Sequence, residues 1–273
     1  NEKINELFFG DRVKLRKNFH TIFTSATLTN LASEDLTKAY SYFIQNTMFP
    51  INDSILSEVK YSPFAYDKHA KLFYTDDITS PSKDRGKFID ESIDLVKKIL
   101  DISQGKALIL FTSKADMNAV YTRLKALNLN YTLIKQNEIS SQQQLIHKFK
   151  QDINSVLLGT GVFWEGISIE GIALSNLIIY KLPFPLPEPI INEKCKRSKN
   201  PLEEVLVPEM IIKLKQGVGR LIRNKTDKGI VSIIDSRLGD KSKASYKEKV
   251  WQALPIKQRT NSLKELQSFY DNL

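Results

Sequence analysis

The sequence predicts an α/β fold with a mostly parallel sheet and helices on both faces of that sheet. Short aliphatic or β-branched runs alternate with helical stretches along the chain. Several of the runs are continuously apolar, which is typical of parallel strands that are covered on both faces. The predicted strands are residues 21–25, 71–75, 106–112, 131–135, 155–159, 176–180 and 229–235.

The stretches between these runs have helical periodicity. Apolar residues at i, i+4, i+7 and i+11 give residues 88–100 one apolar face, and residues 115–127 repeat the pattern. Residues 181–189 hold four prolines, which favours a rigid extended segment over a helix or a central strand. Further helices are expected over residues 4–17, 140–150 and 208–215.

The chain length favours one large domain or two small ones, and we expect one. Its core is predicted over residues 20–240, with the strand at 21–25 in the same sheet as the others. A short helix would precede this core, and a basic helical tail would follow it. Limited proteolysis would test whether residues 20–240 form one core.

Composition excludes several classes of protein. Of 273 residues, 41% are hydrophobic and 26% are charged, which is the balance of a globular chain. The single cysteine, Cys195, excludes an internal disulfide and a cysteine-based zinc or iron–sulfur site. The three histidines are far apart in the sequence, so no metal site is expected. No apolar run approaches the roughly 20 residues of a membrane span, so we expect no membrane partner and a cytoplasmic location.

The positive charge is concentrated in the last third of the chain. Residues 1–180 carry 21 basic and 20 acidic residues, whereas residues 181–273 carry 19 basic and 11 acidic residues. A one-sided basic field suggests a polyanionic partner such as nucleic acid. A solvated lysine-rich surface would give the same composition, so charge alone leaves both interpretations open.

The segment QGVGRLIR, residues 216–223, is the most informative motif in the sequence. Arg220 and Arg223 are three residues apart and would project from one face of a helical turn. Two guanidinium groups with Gln216 just upstream are suited to binding phosphate oxygens. Gly217 and Gly219 suggest a close approach of the backbone to another group. Cations that complement the dipole of a helix end are the alternative.

Three other segments leave predicted strands. Residues 159–171, GTGVFWEGISIEG, carry four glycines and Thr160, which could bind an anion through backbone N–H groups and a hydroxyl. Phe163 and Trp164 could stack a base there, although core packing is the better interpretation. Hydroxyl groups and a lysine in FTSK, residues 111–114, are typical of contacts to a nucleic-acid backbone. TSATL, residues 24–28, could also simply cap a turn.

Taken together and in this order, the four segments resemble motifs III to VI of superfamily 2 helicases of the DinG/XPD (Rad3-like) branch. TSATL resembles motif III, ALILFTSK motif IV, GVFWEGISIEG motif V and QGVGRLIR motif VI. YKLPFPLPEP is similar to the segment that follows motif V in DinG-type proteins. The resemblance covers about residues 21–237. It implies a RecA-like fold of the P-loop NTPase type and the C-terminal motor half of an ATP-dependent DNA helicase.

The resemblance also implies roles for single residues. Arg220 and Arg223 would act as arginine fingers on ATP, with Gln216 in the same cleft. Glu165, Gly166, Ser168 and Gly219 would belong to the ATP cleft and couple it to DNA. Single-stranded DNA would be contacted by Thr112, Ser113, Lys114 and Thr160.

The chain has no G-x-x-x-x-G-K-[ST] loop and no acidic box, which the family carries in its first motor domain. ATP and Mg²⁺ would therefore need that domain as a partner, and this chain alone should be inactive. No iron–sulfur cluster is expected here. Some relatives also carry an N-terminal 3′–5′ exonuclease.

One departure from the family pattern leaves an alternative open. Ser168 stands where family members usually carry aspartate, which favours a degenerate module that binds nucleic acid without unwinding it. The two retained arginines favour a working motor. A stand-alone nucleotide-binding protein is a third interpretation, but the sequence offers no set of residues that would bind magnesium and phosphate by itself.

Overall fold

The computed structural model describes residues 2–10, 21–25, 28–29, 33–59, 62–137, 139–165, 169 and 171–273. These residues form two compact units. The first comprises residues 1–62 and 185–212, and the second comprises residues 63–184 and 213–273. The expected single core over residues 20–240 therefore differs from the structure, because its first 43 residues and part of its later half belong to another unit.

The second unit is built around a seven-stranded sheet in which every recorded strand pair is parallel. The strand order across the sheet is β3-β4-β2-β5-β6-β1-β7. The strands are β1 (Ala70–Tyr74), β2 (Ala107–Phe111), β3 (Leu133–Lys135), β4 (Val156–Thr160), β5 (Asn176–Ile179), β6 (Gly229–Ile233) and β7 (Arg259–Thr260). The predicted α/β class with a parallel sheet is confirmed, as are six of the seven predicted strands.

Helices cover both faces of this sheet, and their sequences explain their limits. Helix α5 (Arg85–Ser103) is capped by the Asp84 carboxylate, and α6 (Lys114–Ala126) by the Ser113 hydroxyl. A capping box begins α7 (Gln142–Gln151). Short α4 (Tyr66–His69), α10 (Lys247–Ala253) and α11 (Leu263–Asp271) are further helices of this unit. The predicted helical tail thus contains two helices, but it also supplies β7 to the sheet.

Strand alternation divides the core between the two faces. Ile178 of β5 lies in a cluster with Val96 and Leu100 of α5 and with Val120 of α6. Its neighbour Ile179 points to the other face, as successive strand residues do. There it packs against helix α9 (Val207–Val218). The sequence predicted this helix over residues 208–215. All residues of β2, β4, β5 and β6 are buried.

The first unit is helical. Its elements are α1 (Glu2–Phe9), α2 (Leu36–Ala39), α3 (Ser41–Thr47), α8 (Pro189–Arg197), a π-helical turn at Leu202–Leu206 and the start of α9. Glu209 joins its two chain segments, because it accepts hydrogen bonds from Tyr42 and, at 2.7 Å, from Lys194. Residues 182–188 form neither helix nor strand, whereas Pro189, the last residue of the predicted extended segment, begins α8. Residues 11–17 of the predicted first helix lie outside the described residues.

The predicted strand at residues 21–25 is wrong. The segment forms no strand, and its Phe23 ring packs in an aromatic cluster of the first unit instead. Ring centroids of Phe43 and Phe8 lie 5.4 and 5.5 Å from it. Ile22 is 86% exposed, so one face of the segment lacks the cover that a central strand would have. Among the described residues, the segment pairs with no strand of the sheet.

Tyr180 provides a test of this core. Burial raises the pKa of its phenol above the ordinary value, and the hydroxyl lies 2.6 Å from the Ser92 hydroxyl. The unfolded chain should ionise this phenol near its ordinary pKa of about 10, whereas the folded chain keeps it neutral, so stability should fall as pH rises above that value. We expect Tyr180→Phe to cost about 1 kcal/mol at neutral pH and to flatten this alkaline loss.

Urea unfolding at neutral pH and at about pH 11 measures both effects. Tyr121→Phe is the control, since its ring is only partly buried. An equally steep alkaline loss of stability in the Tyr180 variant and the unsubstituted protein would contradict the prediction.

Candidate functional site

The predicted contact residues of motifs IV and V gather at one edge of the sheet. Strands β2 and β4 are neighbours, and Phe111 is in register with Thr160. Thr112, Ser113 and Lys114 leave the carboxyl end of β2 directly beside Thr160 at the end of β4. In open parallel sheets this edge is where ligands bind. The structure therefore brings residues 112–114 beside Thr160, although at least 46 positions separate them in the sequence.

The residues after β2 combine a helix start with partly accessible side chains. Thr112 and Ser113 are half-buried, and Lys114 is exposed. The Ser113 hydroxyl accepts a hydrogen bond from the Asp116 N–H at 3.3 Å, which makes it the cap of α6. Ser113 therefore caps a helix, a role that the sequence analysis considered only for the hydroxyl groups of motif III.

Thr160 lies deeper than the sequence suggested. It is buried, and both its N–H and its hydroxyl donate to the Gln136 side-chain oxygen, at 2.7 and 3.1 Å. Gln136 follows β3 and is itself anchored by its N–H on the Leu158 carbonyl. The next residue, Gly161, has a φ of 49°, and a Cβ built on it would face open space.

A buried ionic cluster at the same edge was missed by the sequence analysis. Asp116 is 2% exposed and accepts from Arg85 and Lys181, each at about 2.7 Å or less. Arg85 begins α5, and Lys181 follows β5, so three elements converge on one carboxylate. A lone aspartate within a helix gives no sequence signal for this, because its partners are 31 and 65 residues away.

The aromatic pair of motif V belongs to the core, as the sequence analysis favoured. Phe163 and Trp164 are both fully buried. The Trp164 indole N–H donates to the Phe111 carbonyl at 2.8 Å. Base stacking on these rings is therefore excluded, while Glu165, the next residue, is exposed.

Motif VI begins on a helix but does not stay on it. Gln216 and Gly217 belong to the last turn of α9, which ends at Val218. Gly219 and Arg220 lie on the turn that follows, and Arg223 lies beyond it. The expectation that both arginines project from one helical face is thus corrected: two glycines weaken the helix, and a local turn takes over.

The charges of Arg220 and Arg223 nevertheless interact. Arg220 is partly buried, and its Nε donates to the Trp164 carbonyl at 3.0 Å. Burial lowers the pKa of its guanidinium, Arg223 lowers that pKa further, and Glu165 raises it. Motifs V and VI therefore meet around Arg220.

Asp227, which the sequence analysis did not single out, holds the arginine turn. This carboxylate is 6% exposed and accepts from the N–H groups of Arg223 and Asn224, at 2.9 and 3.0 Å. Its other oxygen accepts from the Gly171 N–H at 3.3 Å. One buried acid thus ties the loop after motif VI to the end of motif V.

The two glycines of motif VI differ in their surroundings. A Cβ on Gly217 would come within 2.7 Å of the Trp164 ring, so only glycine lets the helix approach that ring. A Cβ on Gly219 would meet nothing closer than 3.3 Å. Close approach of the backbone is therefore confirmed at Gly217, and the neighbour is a protein side chain.

Some predicted residues lie outside the described part of the chain. These are Gly166 and Ser168 of motif V, and residues 26 and 27 of motif III. Within the described ranges, no group of three or more His, Cys, Asp or Glu could hold a metal ion. The same ranges contain no helix that is long and apolar enough to span a membrane.

The buried Asp227 carboxylate leads to a stability prediction. Asp227→Ala leaves three backbone N–H groups without their acceptor, so we expect a loss of about 2 to 3 kcal/mol in the free energy of unfolding. Asp227→Asn keeps an acceptor oxygen and should lose less. Urea denaturation measures both, with the exposed Asp271→Ala expected within about 0.5 kcal/mol of the unsubstituted protein. Equal effects of the two alanine variants would refute the role given to Asp227.

Known proteins share both this sequence and this architecture. The helicase C-terminal domain family matches residues 96–257. The ATP-dependent DNA helicase YoaA of Haemophilus influenzae is 33% identical over 92% of this chain and 38% of its own length. The 3′-5′ exonuclease DinG of Bacillus subtilis is 32% identical over 94% of this chain and 27% of its own length. The chain thus spans well under half of these curated relatives.

Solved structures agree on the fold. A structure titled XPD helicase has a TM-score of 0.54 at 23% identity and covers 67% of this chain and 34% of its own. Xpd4 of S. tokodaii has a TM-score of 0.54 at 16% identity and covers 95% of this chain and 58% of its own. The family match extends from α5 through the sheet edge and the arginine turn to residue 257. The chain therefore belongs to the helicase C-terminal domain family, and within it to the DinG/XPD-like group.

Proposed function

We propose that this chain is the second motor domain of an ATP-dependent DNA helicase, and that Arg220 and Arg223 complete an ATP site on a first motor domain. The observation that carries the proposal is the fixed position of Arg220. Its Nε is anchored on the Trp164 carbonyl, beside the carboxyl edge of the sheet. An arginine held in this way needs little reorganisation to meet a charged ligand.

The proposed chemistry is electrostatic stabilisation of phosphoryl transfer. Negative charge on the transferred group is spread over oxygens that guanidinium groups can meet in bidentate fashion. Arg220 and Arg223 would supply this charge to the γ-phosphate of ATP, and Gln216 would line the same cleft. The described residues offer no cluster for Mg²⁺, so binding of that ion is assigned to the first domain.

Single-stranded DNA is the proposed polymer substrate. Thr112, Ser113 and Lys114 stand at the carboxyl edge, and the last third of the chain has a net charge of +8. Backbone phosphates are bound by such hydroxyl, N–H and cationic groups. Thr160 would contribute through position more than through its hydroxyl, which donates to Gln136. A DNA substrate would also suit a cytoplasmic location.

The test is ATP hydrolysis by the full-length protein with and without single-stranded DNA. Arg220→Ala and Arg223→Ala should each lower the DNA-stimulated kcat by about 10²-fold or more, because an arginine finger acts on the transition state. Affinity for single-stranded DNA should change by less than about threefold, since phosphate contacts of the polymer lie elsewhere. Arg123→Ala, which removes a surface arginine of α6, is the matched control.

Full activity in both arginine variants would overturn the assignment of the fingers. A parallel loss of DNA affinity and of kcat would instead assign the arginines to the DNA track. If the unsubstituted protein does not hydrolyse ATP, the proposal that it contains a working motor is wrong.

A second candidate function is a nucleic-acid-binding module without motor activity, and the serine at position 168 favours it. Loss of the usual carboxylate removes a charge from the motif proposed to couple ATP to DNA. If this candidate is correct, the full-length protein should bind single-stranded DNA but hydrolyse ATP slowly, and Ser168→Asp should restore turnover. Fast hydrolysis in the natural sequence would exclude it. We also propose a 3′–5′ exonuclease domain on the same polypeptide, supported by the name of the Bacillus subtilis relative.

A further inference from the structure

Trp164 lies between the motif IV residues and the motif VI residues of the proposed site. Its side chain is fully buried, and it contacts the end of β2 on one side and α9 on the other. A tryptophan that only filled the core would need a partner for its indole N–H, but not a partner in another motif.

The first contact is with the strand that carries motif IV. The indole N–H donates to the Phe111 carbonyl at 2.8 Å, and Phe111 directly precedes Thr112. A displacement of the strand end would therefore act on the indole through a hydrogen bond that cannot be exchanged for water, because both groups are buried.

The second set of contacts is with motif VI. The ring lies against the Cα of Gly217, and the Lys213 Nζ stands 5.6 Å from the ring centroid, one helical turn earlier. The backbone carbonyl of the same tryptophan accepts from the Arg220 Nε at 3.0 Å. Side chain and main chain of one residue thus reach both the helix and the arginine that follows it.

We infer that Trp164 is a positioning residue that transmits the DNA-bound state of the 112–114 segment to Arg220. This inference rests on the proposed function and deepens it. Binding of a DNA phosphate beside Thr112 would hold the end of β2, the indole would follow the Phe111 carbonyl, and the Trp164 carbonyl would set the direction of the guanidinium. Coupling through such tightly packed contacts is expected because packed cores shift between discrete arrangements.

The test compares two tryptophans in the full-length protein. Trp164→Phe removes the indole N–H and keeps an aromatic ring, and Trp251→Phe makes the same chemical change elsewhere in the same unit. The measured quantity is the ratio of kcat with single-stranded DNA to kcat without it. We expect Trp164→Phe to lower this ratio by about fivefold or more, in the range of a typical coupling between sites. Trp251→Phe should leave it unchanged.

Two further readouts separate coupling from general damage. DNA affinity and the thermal midpoint should be similar in the two tryptophan variants. If Trp164→Phe fails to fold, Gly217→Ala provides the second variant, because its Cβ would displace the ring while alanine favours the helix. Gly86→Ala in α5 is its control, since a Cβ there meets nothing closer than 3.5 Å.

The outcomes distinguish this inference from the proposed function. If the unsubstituted protein shows no DNA-stimulated hydrolysis, the proposed function fails. If it is stimulated, and Trp164→Phe and Gly217→Ala keep the full stimulation ratio of their controls, the inference alone is overturned.

Discussion

Burial of both faces of the parallel sheet is the constraint on which the rest of this unit depends. Four of the seven strands are buried along their whole length, and most of their side chains are apolar. Polar chemistry is thereby confined to the loops at the strand ends. Motifs IV and V leave neighbouring strands, and the pairing of these strands brings Thr112 beside Thr160, 48 positions later in the sequence.

Three buried aspartates organise loops at the two ends of the sheet. Asp116 draws Arg85 and Lys181 together, and Asp227 closes the arginine turn through three N–H groups. Asp235 is fully buried, pairs with Arg237 and accepts from the Leu182 N–H at 2.9 Å, which anchors the start of the proline-rich segment. A buried carboxylate is costly unless it is fully paired, so each one holds its loop in a narrow range of conformations.

Motif V is where these arrangements meet. Trp164 joins the core, the end of β2 and the arginine turn, whereas Glu165 beside it faces solvent. The segment thus changes from full burial to exposure within two residues. The packing around Trp164 is tight on its motif VI side, because at Gly217 the neighbouring helix has no room for a side chain.

The sequence by itself determined the fold class, six strands, the main helices and the family, because apolar periodicity and short motifs are local properties. It also indicated the core position of Phe163 and Trp164. Only the tertiary structure decided that residues 21–25 leave the sheet, since Phe23 finds its aromatic partners in the other unit. The same holds for Gln136, Arg85, Lys181 and Asp227, whose roles come from partners brought close by the topology. A residue's own neighbourhood in sequence predicts its element, but the long-range packing of that element determines what the side chain meets.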